Sequence, residues 1–263
     1  MTLIRPFAGL RPADGRAADV VAPPYDVLSC AEARLRAAGR PWSFLHISRP
    51  EIDLPEGTDP YASEVYAMAA SNLREMVARG VLVRDTEPCY YVYRLVMGDH
   101  SQTGLVAAAS VAAYDSNRIR KHEFTRPAKE DDRVRQIQAL NAQTGPVLLA
   151  YESQSMVDAM LNEVTTGSPD VDLTADDGIG HSLWVVRDSS LITRLTEAFD
   201  SMRALYIADG HHRSAAASRV AADASGDAAG YFLTVIFPHK QMRILDYNRV
   251  VRDGYGWVSF IPV

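Results

Sequence analysis

The sequence predicts an α/β protein, α+β where helices and strands segregate, with mixed sheets and flanking helices. Three observations carry this. Val65, Met68, Ala69, Leu73, Met76 and Val77 repeat at helical spacing and end at Gly80. Cys89 to Met97 and Thr103 to Tyr114 read as two strands joined by Gly98-Asp99-His100-Ser101-Gln102, a hairpin pattern. Ala204 to Ala208 is an apolar strand that breaks at Asp209-Gly210 and gives way to an alanine-rich helix.

From the N-terminus, Ile4 to Pro12 holds too much proline for a helix and reads as extended chain. Val20 to Val27 is a short apolar strand ending in the stiff turn Pro23-Pro24-Tyr25-Asp26. Ser29 is placed to cap a helix over Ala31 to Ala38, closed by Gly39. Ser43 to Ile47 reads as a buried strand, residues 50–60 as loop, and Pro60 to Arg79 as the strong helix. A further helix starts near Pro127, with Val134, Ile137 and Leu140 as its apolar stripe. Pro146 to Tyr151 and Ser182 to Val186 read as strands around a turn-rich segment, residues 165–180. Leu191 to Met202 reads as a helix, as does His212 to Ala222. Tyr231 to Phe237 and Met242 to Val251 read as paired strands. Gly254 to Val263 carries no helix or stop pattern.

The 263 residues allow one α/β unit over residues 1–253, divisible into an N-terminal lobe (1–115) and a second lobe (116–253), with an atypical tail at 254–263. The 27 Lys and Arg against 33 Asp and Glu give a net charge of −6, a poor match to sequence-blind nucleic-acid binding. Cys30 and Cys89 form no CxxC pair and read as free thiols rather than zinc ligands or a disulfide. The N-terminus lacks a signal-peptide pattern, and no apolar run reaches the ~18 residues of a membrane helix. A cytoplasmic protein is the expectation.

Two constellations carry chemistry. The first is Asp209-Gly210-His211-His212-Arg213 at a strand-to-helix turn. Free N–H groups and the helix dipole attract phosphate there. Gly210 permits a close backbone approach, Arg213 can fork onto two oxygens, and the histidines can exchange protons near neutrality. The bland alternative is a helix start with solvated histidines. No Walker or Rossmann pattern occurs. The second is Ile119 to Arg133, dense in charge, with His122, Glu123, Thr125 and Arg126 ahead of the helix and Lys129 and Arg133 one turn apart on it. Its bland alternative is a solvated, ion-paired face. Because Arg126 follows His122-Glu123 where a second histidine would be needed, a zincin site fails. Asp26 is a lesser candidate, held by its double proline. His181 beside Trp184 reads as packing.

Arg5-Pro6-Phe7, Gly9-Leu10-Arg11-Pro12, Ala22-Pro23-Pro24-Tyr25-Asp26-Val27, Ser43-Phe44-Leu45-His46, Arg49-Pro50-Glu51, His122-Glu123 with Thr125, Lys129 and Asp132-Arg133, and Tyr206 to Arg213 together resemble the DUF1015 family of uncharacterised bacterial and archaeal proteins. The resemblance runs to about Val251. It implies a ParB/sulfiredoxin-like nucleotide-binding core related to free-serine kinases, in which a Gly-x-His-Arg turn holds nucleotide phosphates. It also implies a shortened chain, since family members continue past this one and the tail after Arg252 does not match them.

The expectation is nucleotide-dependent phosphotransfer to a hydroxyl of a small metabolite, with ATP or ADP and Mg²⁺. Asp209, Gly210, His211, His212, Arg213, Lys129 and Arg133 would hold phosphates, and Arg213 would clamp the transferring group. Glu123 or Asp26 would accept the hydroxyl proton. His122, Thr125 and Arg126 would line the pocket, and Asp209 would reach Mg²⁺. No membrane partner is expected; a homodimer is. The alternative is a nucleotide-binding regulatory module without metabolite turnover. A metal hydrolase on His122, His211 and His212 lacks the ligand spacing.

Overall fold

The computed structural model describes residues 2–224 and 226–244, and the backbone of residues 249–252 and 258–261. In chain order the elements are β1 (Ile4–Arg5), β2 (Leu10–Pro12), α1 (Ala17–Val20), α2 (Cys30–Ala37), α3 (Leu45–Ser48), α4 (Ser63–Ala78), β3 (Leu82–Arg84), β4 (Tyr90–Met97), β5 (His100–Ser110) and α5 (Val111–Asp115). They continue with β6 (Ile119–Arg120), α6 (Pro127–Leu140), β7 (Val147–Tyr151), α7 (Ser155–Val164), β8 (Val171–Thr174), β9 (Gly180–Val186), α8 (Ser189–Asp200), β10 (Leu205–Asp209), α9 (His211–Asp223), β11 (Tyr231–Pro238), β12 (Arg249–Arg252) and β13 (Val258–Ile261). The fold is a mixed α/β one.

A nine-stranded mixed sheet runs in the order β6-β10-β7-β11-β5-β4-β9-β8, with β1 also paired to β5. The β6–β10 and β7–β11 pairs are parallel; the others are antiparallel. Alternate residues of the strands, Tyr90, Val92, Leu105, Ala107, Leu149, Trp184, Ile207 and Ile236 among them, point to one face. There they meet Val157, Met160 and Leu161 of α7 and Leu195, Ala198 and Phe199 of α8 in the main core. A second apolar cluster joins Val20, Ile47, Ala69, Leu73, Met76, Val81, Leu82 and Leu140, packing α3 and α4 against α6.

Local signals explain most ends. Ser29 and Glu32 form a reciprocal capping box on α2. Pro127 opens α6, and Gly80, at φ +65°, stops the chain after α4. Both thiols are free. Among the described residues, no helix is long and apolar enough to cross a membrane.

Four expectations are corrected. Ser43 to Ile47 is not a strand: Leu45–Ser48 is helical, because so short an apolar run carries no period of its own and is settled by packing Ile47 against Ala69 and Leu73. The apolar run ahead of the double proline is not a strand: the helical turn α1 ends at Val20, and residues 21–24 take no regular structure. The hairpin's second strand stops at Ser110, whose hydroxyl accepts from the Ala113 N–H and starts α5. Tyr231–Pro238 does not pair with the segment after Met242; β11 lies between β5 and β7, whereas β12 pairs with β13 in a separate ribbon. Residues 245–248 of the expected strand lie outside the described residues. Helix α7 and strand β8 have no counterpart among the expected elements.

One polar lock fastens the helical part. His46 Nδ1 lies 2.8 Å from Asp53 and Nε2 lies 3.1 Å from the Arg40 carbonyl. Asn72 of α4 donates to the His46 carbonyl (2.7 Å) and to Asp53 (2.8 Å). The Asp53 hydrogen bond, against the cost of burial, raises the imidazole pKa. A raised folded-state pKa adds stability that is full below the unfolded value, about 6.5, and fades as pH rises through the folded value. Asp53→Asn removes that cause. We therefore expect the stability gap between wild type and Asp53→Asn, measured by urea unfolding, to be widest in mildly acidic solution and to narrow as pH rises. A gap that widens with pH would contradict this.

Candidate functional site

Sheet topology brings the two charged segments together. Strand β6 lies parallel to β10, with Ile119 opposite Leu205 and Arg120 opposite Tyr206. Both strands therefore discharge at the same end of the sheet: β6 into residues 121–126, β10 into Asp209 and Gly210. Strand β7 is antiparallel to β10, with Leu148 opposite Asp209, so its lead-in Thr144-Gly145-Pro146 arrives at that end too. A register shift between Ile207 and Asp209 puts a bulge in β10 just ahead of the turn.

Gly210 is the N-cap residue of α9, at φ +96°, and no side chain caps the helix. A side chain at Gly210 would be strained, and its Cβ would sit 3.0 Å from Arg213 Nε. The Arg213 side chain folds back along this glycine and also runs beside Gly145, where a Cβ would be 3.3 Å from Cδ. Its guanidinium donates to the Pro146 carbonyl (2.6 Å) and to Asp209. Arg213 is thus held rigid by two glycines, a carbonyl and a carboxylate.

The larger cleft, about 560 Å³, lies on one side of this turn. His211 is 4% exposed and forms its floor. His211 Nδ1 is 3.4 Å from Glu123 Oε2. The His122 ring stands edge-on to His211, centroids 4.4 Å apart. His211 Nε2 is buried and has no hydrogen-bond partner. Burial first, and then the neighbouring His122 and His212, lower the His211 pKa; Glu123 and Asp209 oppose them. The imidazole is therefore biased towards its neutral form. Lys121 lies over the Tyr114 ring (3.7 Å), Phe124 is 98% exposed at the rim, and Arg219 ion-pairs with Glu130 (3.3 Å) and Asp131 (2.7 Å).

A second, smaller pocket of about 40 Å³ lies on the other side, lined by Tyr25, Gln143, Thr144, Gly145, Arg133 and Arg213 among others. The Arg133 guanidinium lies 4.6 Å from the Tyr25 ring centroid and pairs with Asp132 (2.5 Å).

The expected residues are thus divided. His122, Glu123, Thr125 and His211 line the larger cleft, and Arg133 and Arg213 line the smaller pocket. Thr125 donates to Glu130, and the Arg126 N–H donates to His212 Nε2 (3.1 Å). Lys129 is exposed and lines neither space, and Asp26 is exposed on the turn beside Tyr25. Asp209 is exposed and its carboxylate is engaged by Arg213, a poor preparation for a resident magnesium ion. Among the described residues no group of three or more His, Cys, Asp or Glu could hold a metal. His181 bonds Tyr93 (2.6 Å), away from both spaces.

Sequence reasoning passed over Tyr114, Asp115, Glu130, Ser218 and Arg219 in the larger cleft, and Gln143, Thr144 and Gly145 in the smaller pocket. Only Gln143-Thr144-Gly145 had a signal, a polar turn leading into a predicted strand; the others depend on how α6 and α9 pack.

A family model described as "Protein of unknown function (DUF1015)" matches residues 4–260, which carries the match past Val251 into the tail. No curated protein and no solved structure matches the chain.

Gly210→Ala would force an L side chain into the left-handed region and push on Arg213. We expect it to lower unfolding free energy by about 1–3 kcal/mol. The analogous Gly145→Ala, at an unstrained backbone position with a 3.3 Å contact, should cost less. Chemical denaturation of both variants checks the order; equal stability would deny the turn its strain.

Proposed function

We propose that this chain, which belongs to the DUF1015 family, grips the phosphates of ATP or ADP at the start of α9 and transfers a phosphoryl group to a hydroxyl of a small metabolite. One observation carries the reading: an uncapped helix start, with the buried His211 as its first residue, borders a cleft of ligand size.

The surrounding residues support it. The first N–H groups of α9, those of His211, His212 and Arg213, have no intrahelical acceptor and point along the positive end of the helix dipole. Arg213 brings a fixed guanidinium to the same turn, and Arg133 a second one close by. Phosphoryl transfer needs charge neutralisation and positioning more than covalent help. The exposed Phe124 ring offers a flat face for a nucleobase at the cleft rim. Lys121 and Arg219 add positive charge along the cleft.

A magnesium ion carried by the nucleotide would neutralise the charge of its phosphates. Since Asp209 is bonded to Arg213, the ion need not be a resident of the protein, and magnesium is commonly held by phosphates with one or two carboxylates. The acceptor shares the larger cleft with His122, Glu123 and His211. Serine is the first acceptor to try, on the resemblance to free-serine kinases. The reading puts the protein in the cytoplasm, where nucleotide is abundant.

Calorimetric titration with ATP and ADP in Mg²⁺ tests this. Wild type should bind, and Arg213→Ala should bind about tenfold to a hundredfold more weakly, the worth of a charged hydrogen bond. Circular dichroism shows whether the variant is folded. Unchanged affinity in a folded variant removes Arg213 from the phosphate site. Binding with no transfer to any hydroxyl compound turns the reading into a nucleotide-binding regulatory module.

A further inference from the structure

We infer that the smaller pocket is a seat for one doubly charged phosphate group, gripped by Arg133, Arg213 and the hydroxyls of Tyr25, Ser48 and Thr144, with Asp209 as a counter-ion that gives way to it. Neither a nucleotide nor a transfer step is needed for this, so it stands apart from the phosphotransfer reading.

Five parts of the chain meet at the pocket. Tyr25 comes from the double-proline turn, Ser48 from the end of α3, Arg133 from α6, Thr144 and Gly145 from the turn before β7, and Arg213 from α9. The walls are fixed before any ligand arrives. Arg49 donates to the Tyr25 carbonyl (2.8 Å). Gln143 donates to the Tyr231 carbonyl (2.9 Å) and accepts from the Leu233 N–H (2.8 Å), which ties the turn before β7 to β11. Burial raises the Tyr25 hydroxyl pKa and both guanidinium charges pull it back, so the two cations converge on one phenol.

The donors point to the ligand's chemistry. Asp132 accepts from Nε (2.8 Å) and Nη2 of Arg133, while Nη1 has no partner among the described residues. The Tyr25, Ser48 and Thr144 hydroxyls have none there either, and none of these four atoms is sealed from solvent. No carboxylate is among the described residues that line the pocket. Guanidinium forks and hydroxyls without a carboxylate suit an oxyanion. The volume, about 40 Å³, has room for roughly three water molecules at about 10–15 Å³ each. One phosphate group fits that space; a whole nucleotide does not.

Two carboxylates stand behind the guanidinium groups, and they are held differently. Asp132 is 16% exposed and also accepts from the Tyr66 hydroxyl (2.8 Å), so it stays and keeps Arg133 in position. Asp209 is 67% exposed and is bonded to Arg213. It can turn into water at little cost and free Arg213 Nη2 for the ligand. A dianion has the charge to replace a single carboxylate there, and a monoanion such as acetate does not.

Calorimetric titration of the whole chain with inorganic phosphate, without nucleotide, tests this. Wild type should bind one phosphate saturably and acetate far more weakly. Arg133→Gln should weaken phosphate binding about tenfold to a hundredfold, the worth of a charged hydrogen bond. Thr144→Val removes a hydroxyl and no charge, and should weaken it about threefold to tenfold. It decides the matter if circular dichroism shows Arg133→Gln unfolded. Asp209→Asn removes the competitor and should tighten binding. Any of four results overturns the inference: no phosphate binding by wild type, acetate bound as well as phosphate, wild-type affinity in the folded variants of Arg133 and Thr144, or weaker binding in Asp209→Asn. ADP added to the phosphate-saturated protein identifies the source of the group. Competition seats the nucleotide's own terminal phosphate in the pocket, and binding alongside leaves the pocket to a separate phosphate compound; both keep the inference. Phosphate binding without any binding of ATP or ADP keeps it too, and removes the phosphotransfer reading instead.

Discussion

The parallel pairing of β6 with β10 is the constraint on which the candidate site depends. Two strands that run the same way end at the same edge, and the segments that leave them must share the space beyond it. Only two residue pairs make this contact, Ile119 with Leu205 and Arg120 with Tyr206, yet they set His122 and Glu123 against a turn about ninety positions later. The Leu205 N–H to the Arg118 carbonyl, 3.1 Å, extends the pairing by one bond. The antiparallel β7 then delivers Gly145 and Pro146 to Arg213 from the other side.

This arrangement separates two kinds of electrostatics. In the larger cleft burial biases the His211 ring towards its neutral form. In the smaller pocket Arg133 and Arg213 keep fixed charges, each already steadied by a carboxylate, Asp132 and Asp209. Those carboxylates hold the guanidinium planes in place and compete with any incoming anion. A doubly charged phosphate can outmatch a single carboxylate there; a weakly basic anion has less to offer.

The legible parts of the chain are those governed by near neighbours. The α4 repeat, the β4–β5 hairpin, the proline start of α6 and the Ser29 cap each depend on residues a few positions apart, and each stands at or near its expected place. So does the left-handed Gly210 between β10 and α9. Leu45–Ser48 misleads because so short an apolar run suits a strand or a helix equally, and contacts with α4 decide the matter. The partner of β11 is hidden for a similar reason: its neighbour in sequence is not its neighbour in the sheet. The division of Arg133 from His122 and Glu123 has no local signal at all. All three lie within one charged stretch, and only the packing of α6 against α4 and α9 assigns them to different spaces.

The place of β11 has a consequence for how the chain assembles. It lies between β5 and β7, pairing six residues with the first and five with the second. Until Tyr231–Pro238 has been synthesised, the sheet is two separate pieces, each with an open edge. Contacts that close only across such long stretches of chain carry a high entropic cost and slow folding. A ribosome adding about 5–20 residues per second would leave the exposed edges of β5 and β7 waiting for several seconds, a window in which another chain could pair with them instead. Helpers that shield strand edges during synthesis would therefore act on this protein late, just before its last central strand emerges.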